Sequence, residues 1–233
     1  MDWPDRKTRC PGANPNNPRY LQYHDKEWGV PVHDDQKLFE MLILENFQAG
    51  LSWECVLNKW EAFSRAFDGF NLEKVCSYGP EEQARLKSDP GIIRNGRKIA
   101  AAVQNARVFR EIQREWGSFD RYLWHWTEGQ VVCEQGKASS PLSDRVSKDL
   151  KKRGMTFVGT VIIYAYLQAV GVIWSHEEGC FLKRRFDESL TELLLRFRWW
   201  ELEGEALVSV LPLLCDPDLE KVRQSLEHLL AKE

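Results

Sequence analysis

Four residues at opposite ends of the chain, Cys10, His24, His176 and Cys180, are of the types that bind a soft divalent metal. His176 and Cys180 are separated by Glu177, Glu178 and Gly179, a spacing that would put both side chains on one face of a helical turn. Cys10 and His24 bracket a loop rich in Pro, Asn and Gly that begins at Pro11 and runs to Pro18. Two Cys and two His make a closed tetrahedral set suited to one structural Zn2+, with no ligand position left for water. Such a site ties two ends of a fold together and does no chemistry itself. Composition alone leaves a plainer alternative open. With six Cys and five His in the chain, some pairs fall close together as ordinary core residues.

Three further patterns carry chemistry. Tyr23-His24-Asp25-Lys26-Glu27-Trp28-Gly29 packs two aromatics, two acids and a metal-ligand candidate into one short stretch. In the second pattern, Leu44 to Trp53, Glu45 stands among Met41, Leu42, Ile43, Leu44 and Phe47 and is followed by a turn at Gly50. A carboxylate there is either on the exposed edge of its helix or buried for a reason. Burial is costly without a partner and would point to a ligand that donates hydrogen bonds. The third pattern runs from Lys148 to Ala169, where Gly154 and Gly159 flank a corner between a basic helix end and an apolar helix. Such a corner can offer backbone N–H groups and a helix N-terminus to a phosphate, or can simply be a packing corner.

The elements that position these residues read as helical nearly throughout. Asp34 and Asp35 are N-cap candidates before the apolar face Leu38-Phe39 and Met41 to Leu44. Trp53, Val56, Leu57, Trp60, Phe63 and Phe67 form one stripe at three- and four-residue spacing, and Ile99 to Ile112 forms another amphipathic run. Phe157 to Val172 is apolar enough for a central helix buried on most sides, whereas Gln130 to Ser140 reads as a loop with at most a short extended piece. Ser189–Leu202 and Leu219–Ala231 are the last two helical runs, with Asp216-Pro217 as the break between them. Cys55, Cys76, Cys133 and Cys215 are expected to serve as small apolar residues of helices. The expected class is all-α.

Composition sets the outer limits. With 233 residues, 43 % hydrophobic and 12 % aromatic, the chain can bury a substantial core. No apolar run reaches the roughly 18 residues of a membrane span, and the first residues carry no secretory pattern, so a cytoplasmic protein is expected. The net charge of −3 is unevenly spread. From Asp187 onward there are 11 acids and 5 bases, whereas residues 1–186 hold 24 acids and 27 bases. A basic body therefore precedes an acidic tail. Its bases cluster at Arg94/Arg97/Lys98, Lys148/Lys151/Lys152/Arg153 and Lys183/Arg184/Arg185, which are solvated faces unless a polyanion binds them.

Taken together, these residues resemble the 3-methyladenine DNA glycosylase I family, the constitutive type, over Cys10 to Cys180. The carriers are Tyr23-His-Asp-x-Glu-Trp-Gly29, Leu38-Phe-Glu-Met41, Glu45, Gln48-Ala-Gly-Leu-Ser-Trp53, Gly91-Ile-Ile-Arg-Asn95 with Lys98-Ile99, Lys152-Arg-Gly154, Phe157-Val-Gly-Thr160 and His176-x-x-Gly-Cys180. The resemblance implies a helix-hairpin-helix glycosylase bundle over residues 1–186, with an acidic helical extension over 187–233. It implies one structural Zn2+ on Cys10, His24, His176 and Cys180, and a damaged-base pocket of Glu45, Tyr23 and Trp53 with Tyr20 at its rim. Gly50 and Leu51 match the turn that enters the duplex beside a flipped base. Lys152, Gly154, Gly159 and Thr160 match the hairpin, near 148–170, that grips the DNA backbone.

The partner implied is double-stranded alkylated DNA, met by a monomer with no membrane. The reaction implied is hydrolysis of the N-glycosidic bond of 3-methyladenine, leaving an abasic site. Ile173-Trp174-Ser175 provides no carboxylate where many helix-hairpin-helix glycosylases keep an Asp, as suits a substrate that is itself unstable. Two features depart from the family pattern. Cys10-Pro11-Gly12 lacks a Trp two residues after the Cys, with Trp3 as a candidate substitute, and 53 residues follow Cys180. The alternative functions are a weak or inactive DNA- or base-binding homologue, and a zinc-stapled interaction protein acting through its acidic tail.

Overall fold

The computed structural model describes residues 9–10, 12–176, 188–214, 216 and 218–230. The chain divides into two compact units, Met1–Leu182 and Lys183–Glu233. The described part of the first contains α1 (Pro18–Lys26), α2 (Asp35–Gln48), α3 (Trp53–Leu57), α4 (Trp60–Ala66), α5 (Leu72–Ser77), α6 (Pro80–Ser88), α7 (Gly96–Trp116), α8 (Phe119–Trp124), β1 (Val132–Cys133), α9 (Pro141–Lys152), α10 (Thr160–Ala169) and β2 (Ile173–Trp174). The second contains α11 (Glu188–Phe197), α12 (Gly204–Leu214) and α13 (Leu219–Leu230). Among the described residues no helix is long and apolar enough to cross a membrane.

The helix at the centre of the first unit is α2. Asp34 caps it, its carboxylate accepting the Lys37 N–H at 2.8 Å, as its place before the apolar run predicts. Asp35, in the first turn, accepts the backbone N–H groups of Phe119 (2.9 Å) and Asp120 (2.8 Å), and the Gln113 side chain at 2.7 Å. One carboxylate thus serves the free N–H groups of a second helix, α8, and locks α2 to it. From Met41 to Phe47 every residue is buried, because α3, α7, α8 and α10 all pack against α2. The apolar run 157–172 gives a shorter and less enclosed helix than its hydropathy predicts. Phe157 takes φ +56° and Gly159 is the N-cap, so α10 starts at Thr160, and Val161 is 55 % exposed.

Two other expectations are corrected. The stripe from Trp53 to Phe67 is two helices, α3 and α4, because Asn58 ends the first and its side chain accepts a hydrogen bond from Asn17. The stripe residues Val56, Leu57, Trp60, Phe63 and Phe67 are all buried despite the break. The short extended piece allowed for within Gln130 to Ser140 is β1, and what the mostly helical reading does not foresee is its parallel partner β2, in the register Val132↔Ile173 and Cys133↔Trp174. Cys133 is therefore an exposed strand residue and not a helical one, whereas Cys55 and Cys76 lie in helices. Strands of two residues separated by about forty leave no periodic trace in sequence. Cys215 lies outside the described residues.

Backbone bonds outside the β pair fix the end of α10 against the N-terminal segment. The Gly29 N–H donates to the Gln168 carbonyl (3.1 Å), and the Val32 N–H donates to that of Val170 (3.0 Å). Just after the second of these acceptors Gly171 adopts φ +73°, and a Cβ there would stand 2.3 Å from the backbone of Val30 and Pro31. Gly171→Ala is expected to cost about 3 kcal/mol or more, combining a left-handed backbone with a clash that no side-chain movement relieves. Chemical denaturation of the variant measures it.

In the second unit Leu190, Val222 and Leu226 form a small core, joined by Leu193, Leu194, Phe197 and Leu213. Helix α11 stops at Phe197, short of the predicted Leu202, and a 3-10 turn covers Trp199–Glu201. Helix α12 is absent from the sequence expectation, because Gly204 at its start and Pro212 inside it both read as breakers. Helix α13 follows its predicted run.

Candidate active site and metal cluster

A cavity of about 310 Å³ opens between α1, α2, α3 and α10. Tyr20 and Tyr23 come to it from α1, Glu45 and Gln48 from α2, and Trp53 from α3. Helix α1 faces the cavity because Asn17 caps its start while also donating from Nδ2 to Glu54 of α3 (2.7 Å) and to Asn58 (2.9 Å). The four pocket residues expected from sequence are thus brought together.

Glu45 is buried, with 2 % of its surface exposed, which removes the exposed-edge alternative. Desolvation pushes its carboxyl up to about 8 from an ordinary 4.5. Oε2 of Glu45 is buried without a hydrogen-bond partner, and so is Nε1 of Trp53. Unpartnered buried polar atoms are uncommon in native folds and call for a ligand or water. The Tyr23 and Trp53 rings are 5.1 Å apart and tilted by 43°. They touch one another, so a flat ligand stacks on the pair and not between them, since a slot needs about 7 Å, twice the contact distance of carbon atoms. Burial, with the nearby Glu45, holds the Tyr23 hydroxyl well above the usual tyrosine range, so it remains a hydrogen-bond donor.

The cavity also borders the metal-ligand candidates. Cys10, His24 and His176 are all buried, and one ligand atom from each lies within 4.8 Å of the others. Cys10 Sγ is 3.6 Å from His176 Nδ1. That separation matches the roughly 3.6 Å edge of a tetrahedron with a zinc–sulfur bond of about 2.3 Å and a zinc–nitrogen bond of about 2.05 Å. The outer nitrogens are already engaged. His24 Nδ1 faces Asp25 at 3.0 Å, and His176 Nε2 faces the Trp28 carbonyl at 3.0 Å. Asp25 is gripped in turn by both ends of the Arg9 guanidinium, at 2.7 and 2.6 Å. Burial opposes the Asp25 charge, but Arg9 and His24 outweigh it and hold the carboxyl below its ordinary range. Such outer partners fix the ring orientation and turn the other nitrogen of each ring toward Cys10, whose backbone N–H donates to His24 Nε2 at 3.4 Å and whose sulfur faces His176 Nδ1. The donor set therefore fits zinc as far as three ligands go. Cys180, the fourth, and residues 177–179 lie outside the described residues. His176 follows β2 in non-helical chain, which differs from the helical placement expected for it.

The remaining expected residues are placed elsewhere on the unit. Gly50 takes φ +76° in the turn after α2, and Leu51 beside it is 42 % exposed. Lys152 is exposed at the end of α9, Gly154 takes φ +99°, and Gly159 and Thr160 begin α10. Asn105 of α7 braces this corner, bonding the Thr156 carbonyl and N–H at 2.9 Å each, and Thr160 Oγ1 meets Ser143 Oγ at 2.8 Å. Arg153 is not a free cation of the basic cluster, because Asp149 and Glu115 pair with it. Trp3 lies outside the described residues.

Sequence reading did not assign Gln168, Trp28 or Ser175 to the cavity, although all three line it. For Gln168 a signal existed, since it is an amide in the otherwise apolar end of α10. Ser175 offered none, because only the β pair brings it there.

Residues 13–183 match the family model described as methyladenine glycosylase. The chain is 42 % identical over 178 residues to DNA-3-methyladenine glycosylase 1 of Escherichia coli (strain K12), covering 74 % of this chain and 95 % of that protein. A crystal structure of 3-methyladenine DNA glycosylase I superposes with a TM-score of 0.72 at 41 % identity, over 75 % of this chain and 98 % of the other. A tyrosine-to-phenylalanine variant of 3-methyladenine DNA glycosylase I, solved in complex with 3-methyladenine, superposes at 0.70 with 34 % identity, covering 74 % and 96 %. The chain belongs to the methyladenine glycosylase family.

Proposed function

We propose that the protein is a monofunctional DNA glycosylase that hydrolyses the N-glycosidic bond of 3-methyladenine in alkylated double-stranded DNA and leaves an abasic site. The observation that carries this reading is Glu45, a buried carboxyl with an unpartnered oxygen on the wall of an aromatic cavity. Methylation at N3 gives adenine a positive charge and weakens its bond to the sugar. A base extruded from the duplex would stack on the Tyr23–Trp53 pair, whose electron-rich faces favour a cation. Stacking of this kind is worth about 1–3 kcal/mol per base, which offsets part of the cost of extrusion.

Glu45 would accept the hydrogen bonds of the base. In the free protein its raised pKa keeps the carboxyl mostly protonated at neutral pH. A cationic base favours the ionised form, so the desolvation cost of the carboxylate is offset only by the right ligand. Unmodified adenine brings no charge and gains nothing. Binding a ground-state cation more tightly does not by itself speed cleavage. Glu45 is therefore a recognition and orienting group, with water as the nucleophile and a neutral base as leaving group. Among the described residues no lysine lines the cavity, so an attack through an amine that would cut the strand is not expected.

On this reading Zn2+ completes the Cys10, His24 and His176 cluster with Cys180 as the fourth ligand. The ion supplies cohesion and no catalysis, since a closed set leaves no open position. Tyr23 adjoins the ligand His24 on α1, so the same staple orients a wall of the cavity. The corner between α9 and α10, with Lys152, Gly154, Gly159 and Thr160, is assigned to the DNA backbone. Gly50 and Leu51 are assigned to the gap left by the extruded base.

Incubation of the full chain with methylated duplex DNA, with chromatographic separation of the released bases, tests the reading. Free 3-methyladenine is expected, and Trp53→Ala should lower its release about tenfold or more through the lost stacking. DNA binding with no base released by the intact protein would instead identify a binding homologue.

A further inference from the structure

The turn that follows α2 is held from another helix. Helix α2 ends at Gln48, Ala49 leaves it at φ −44° and ψ 112°, and Gly50 follows in the left-handed region. The Leu51 N–H closes the reversal on the Gln48 carbonyl at 2.6 Å. Two other carbonyls at this helix end, those of Phe47 and Ala49, accept hydrogen bonds from Nζ of Lys98 at 2.8 and 2.5 Å. Lys98 lies in the first turn of α7, whose cap, Asn95, accepts the Lys98 N–H at 3.2 Å.

The sequence groups Lys98 with Arg94 and Arg97 as one basic surface cluster. The structure separates them: the two arginines are exposed, while Lys98 is 4 % exposed. Burial pushes its ammonium below the ordinary lysine range. A buried ammonium is costly to a fold unless its donors are used, and an apolar side chain of similar volume is often the more stable choice. A cation is favoured at the negative end of a helix, and α2 presents that end here. The charge is thus spent on one feature, the path of the chain through residues 47–51.

We propose that Lys98 is a positioning residue for DNA, clasping the Phe47 and Ala49 carbonyls so that the Gly50–Leu51 turn is rigid before it meets a duplex. This rests on the glycosylase reading above. Without the clasp the turn must be ordered at the moment of binding, and that entropy is charged to parting the bases, not to holding the extruded one. Glu45, Tyr23 and Trp53 lie on α2, α1 and α3 and none of them bonds Lys98, so the base cavity is expected to be spared.

The test uses the full chain, its Lys98→Met variant and its Lys98→Arg variant, and three readouts. These are amide hydrogen exchange at residues 49–51, affinity for free 3-methyladenine by tryptophan fluorescence, and single-turnover excision from methylated duplex and single-stranded DNA. In Lys98→Met, exchange at Gly50 and Leu51 should accelerate and duplex excision should fall at least about tenfold, as mispositioned groups do. Affinity for the free base should be unchanged, and excision from single strands should fall less than from duplex. Lys98→Arg keeps the charge and should recover part of the duplex rate, and it carries the test if the Met variant does not fold.

Loss of free-base affinity in parallel with duplex excision would overturn the proposal and place Lys98 in support of the cavity. Unchanged exchange, or unchanged duplex excision despite faster exchange, would overturn it as well. A wild-type protein that neither binds the base nor excises it would refute the glycosylase reading and the DNA role that rests on it. Hydrogen exchange would still report on the clasp itself, so the two failures are distinguishable.

Discussion

Replacing Glu45 with Gln is expected to suppress release of 3-methyladenine by at least about a hundredfold, as loss of a charged hydrogen-bond acceptor does. The same change should make the folded protein more stable, by an amount that grows with pH. The carboxyl titrates near 8 in the fold and near 4.5 when exposed. Between those values the unfolded chain has lost a proton that the native protein keeps. Each pH unit in that window therefore costs the native state about 1.4 kcal/mol. Stability contributed by the neutral, buried form is present at pH 4 and is lost as pH rises toward 8. Gln has no such penalty, so the gain of Glu45→Gln should be small at pH 5 and reach a few kcal/mol at pH 8.

Urea denaturation of both proteins at the two pH values measures this gain, and a difference that shrinks with pH would refute the desolvation argument. The excision profile supplies the other half. For the wild type, kcat/KM should climb as pH rises through about 8, where free Glu45 ionises. The variant's residual activity should lack that rise. A site that is destabilising until its substrate arrives is an ordinary consequence of building recognition from a buried charge.

The second large effect is expected from removal of the metal. Purified protein should contain close to one zinc per chain, and stripping it should lower the melting temperature by about 10 °C or more. That figure follows from a loss of several kcal/mol, at about 2–4 °C per kcal/mol for a unit of this size. Excision should decline along with folding and return on adding zinc back. His176→Ala should reproduce the loss of stability, because it also strands the Trp28 carbonyl and leaves a void against Gly29, whose Cα region abuts the His176 ring. Cys133→Ala, at an exposed strand residue, should change neither zinc content nor melting temperature. Full activity and an unchanged melting temperature in metal-free protein would refute the structural role of zinc. A steep fall in rate at constant stability would instead make the ion a participant in the reaction.

Much of this was legible in the linear chain because it is local. Helical periodicity, the Asp34 cap and the run of apolar residues around Glu45 all depend on neighbours within a turn or two. The Cys and His types that meet in the cluster, and the motif Tyr23 to Gly29, are likewise visible as residues. The family resemblance adds a role for each. Where local signals compete, the reading failed. Gly204 and Pro212 hid α12, and the unbroken stripe from Trp53 to Phe67 concealed a helix boundary.

Other features were decided only in three dimensions, because they depend on contacts between segments remote in sequence. The burial of Glu45 is set by four helices packing around α2, and its raised pKa follows from that packing alone. The meeting of His24 with His176 needs the backbone bonds from Gly29 and Val32 to the end of α10, and the clearance that Gly171 provides. Lys98 reads as one of three surface cations until the fold carries its ammonium to the end of α2. Residue types and their spacing limit which groups can do the chemistry. The tertiary structure decided which of them lost their water, and in a protein that recognises a charged base, lost water is what separates a surface carboxylate from a binding site.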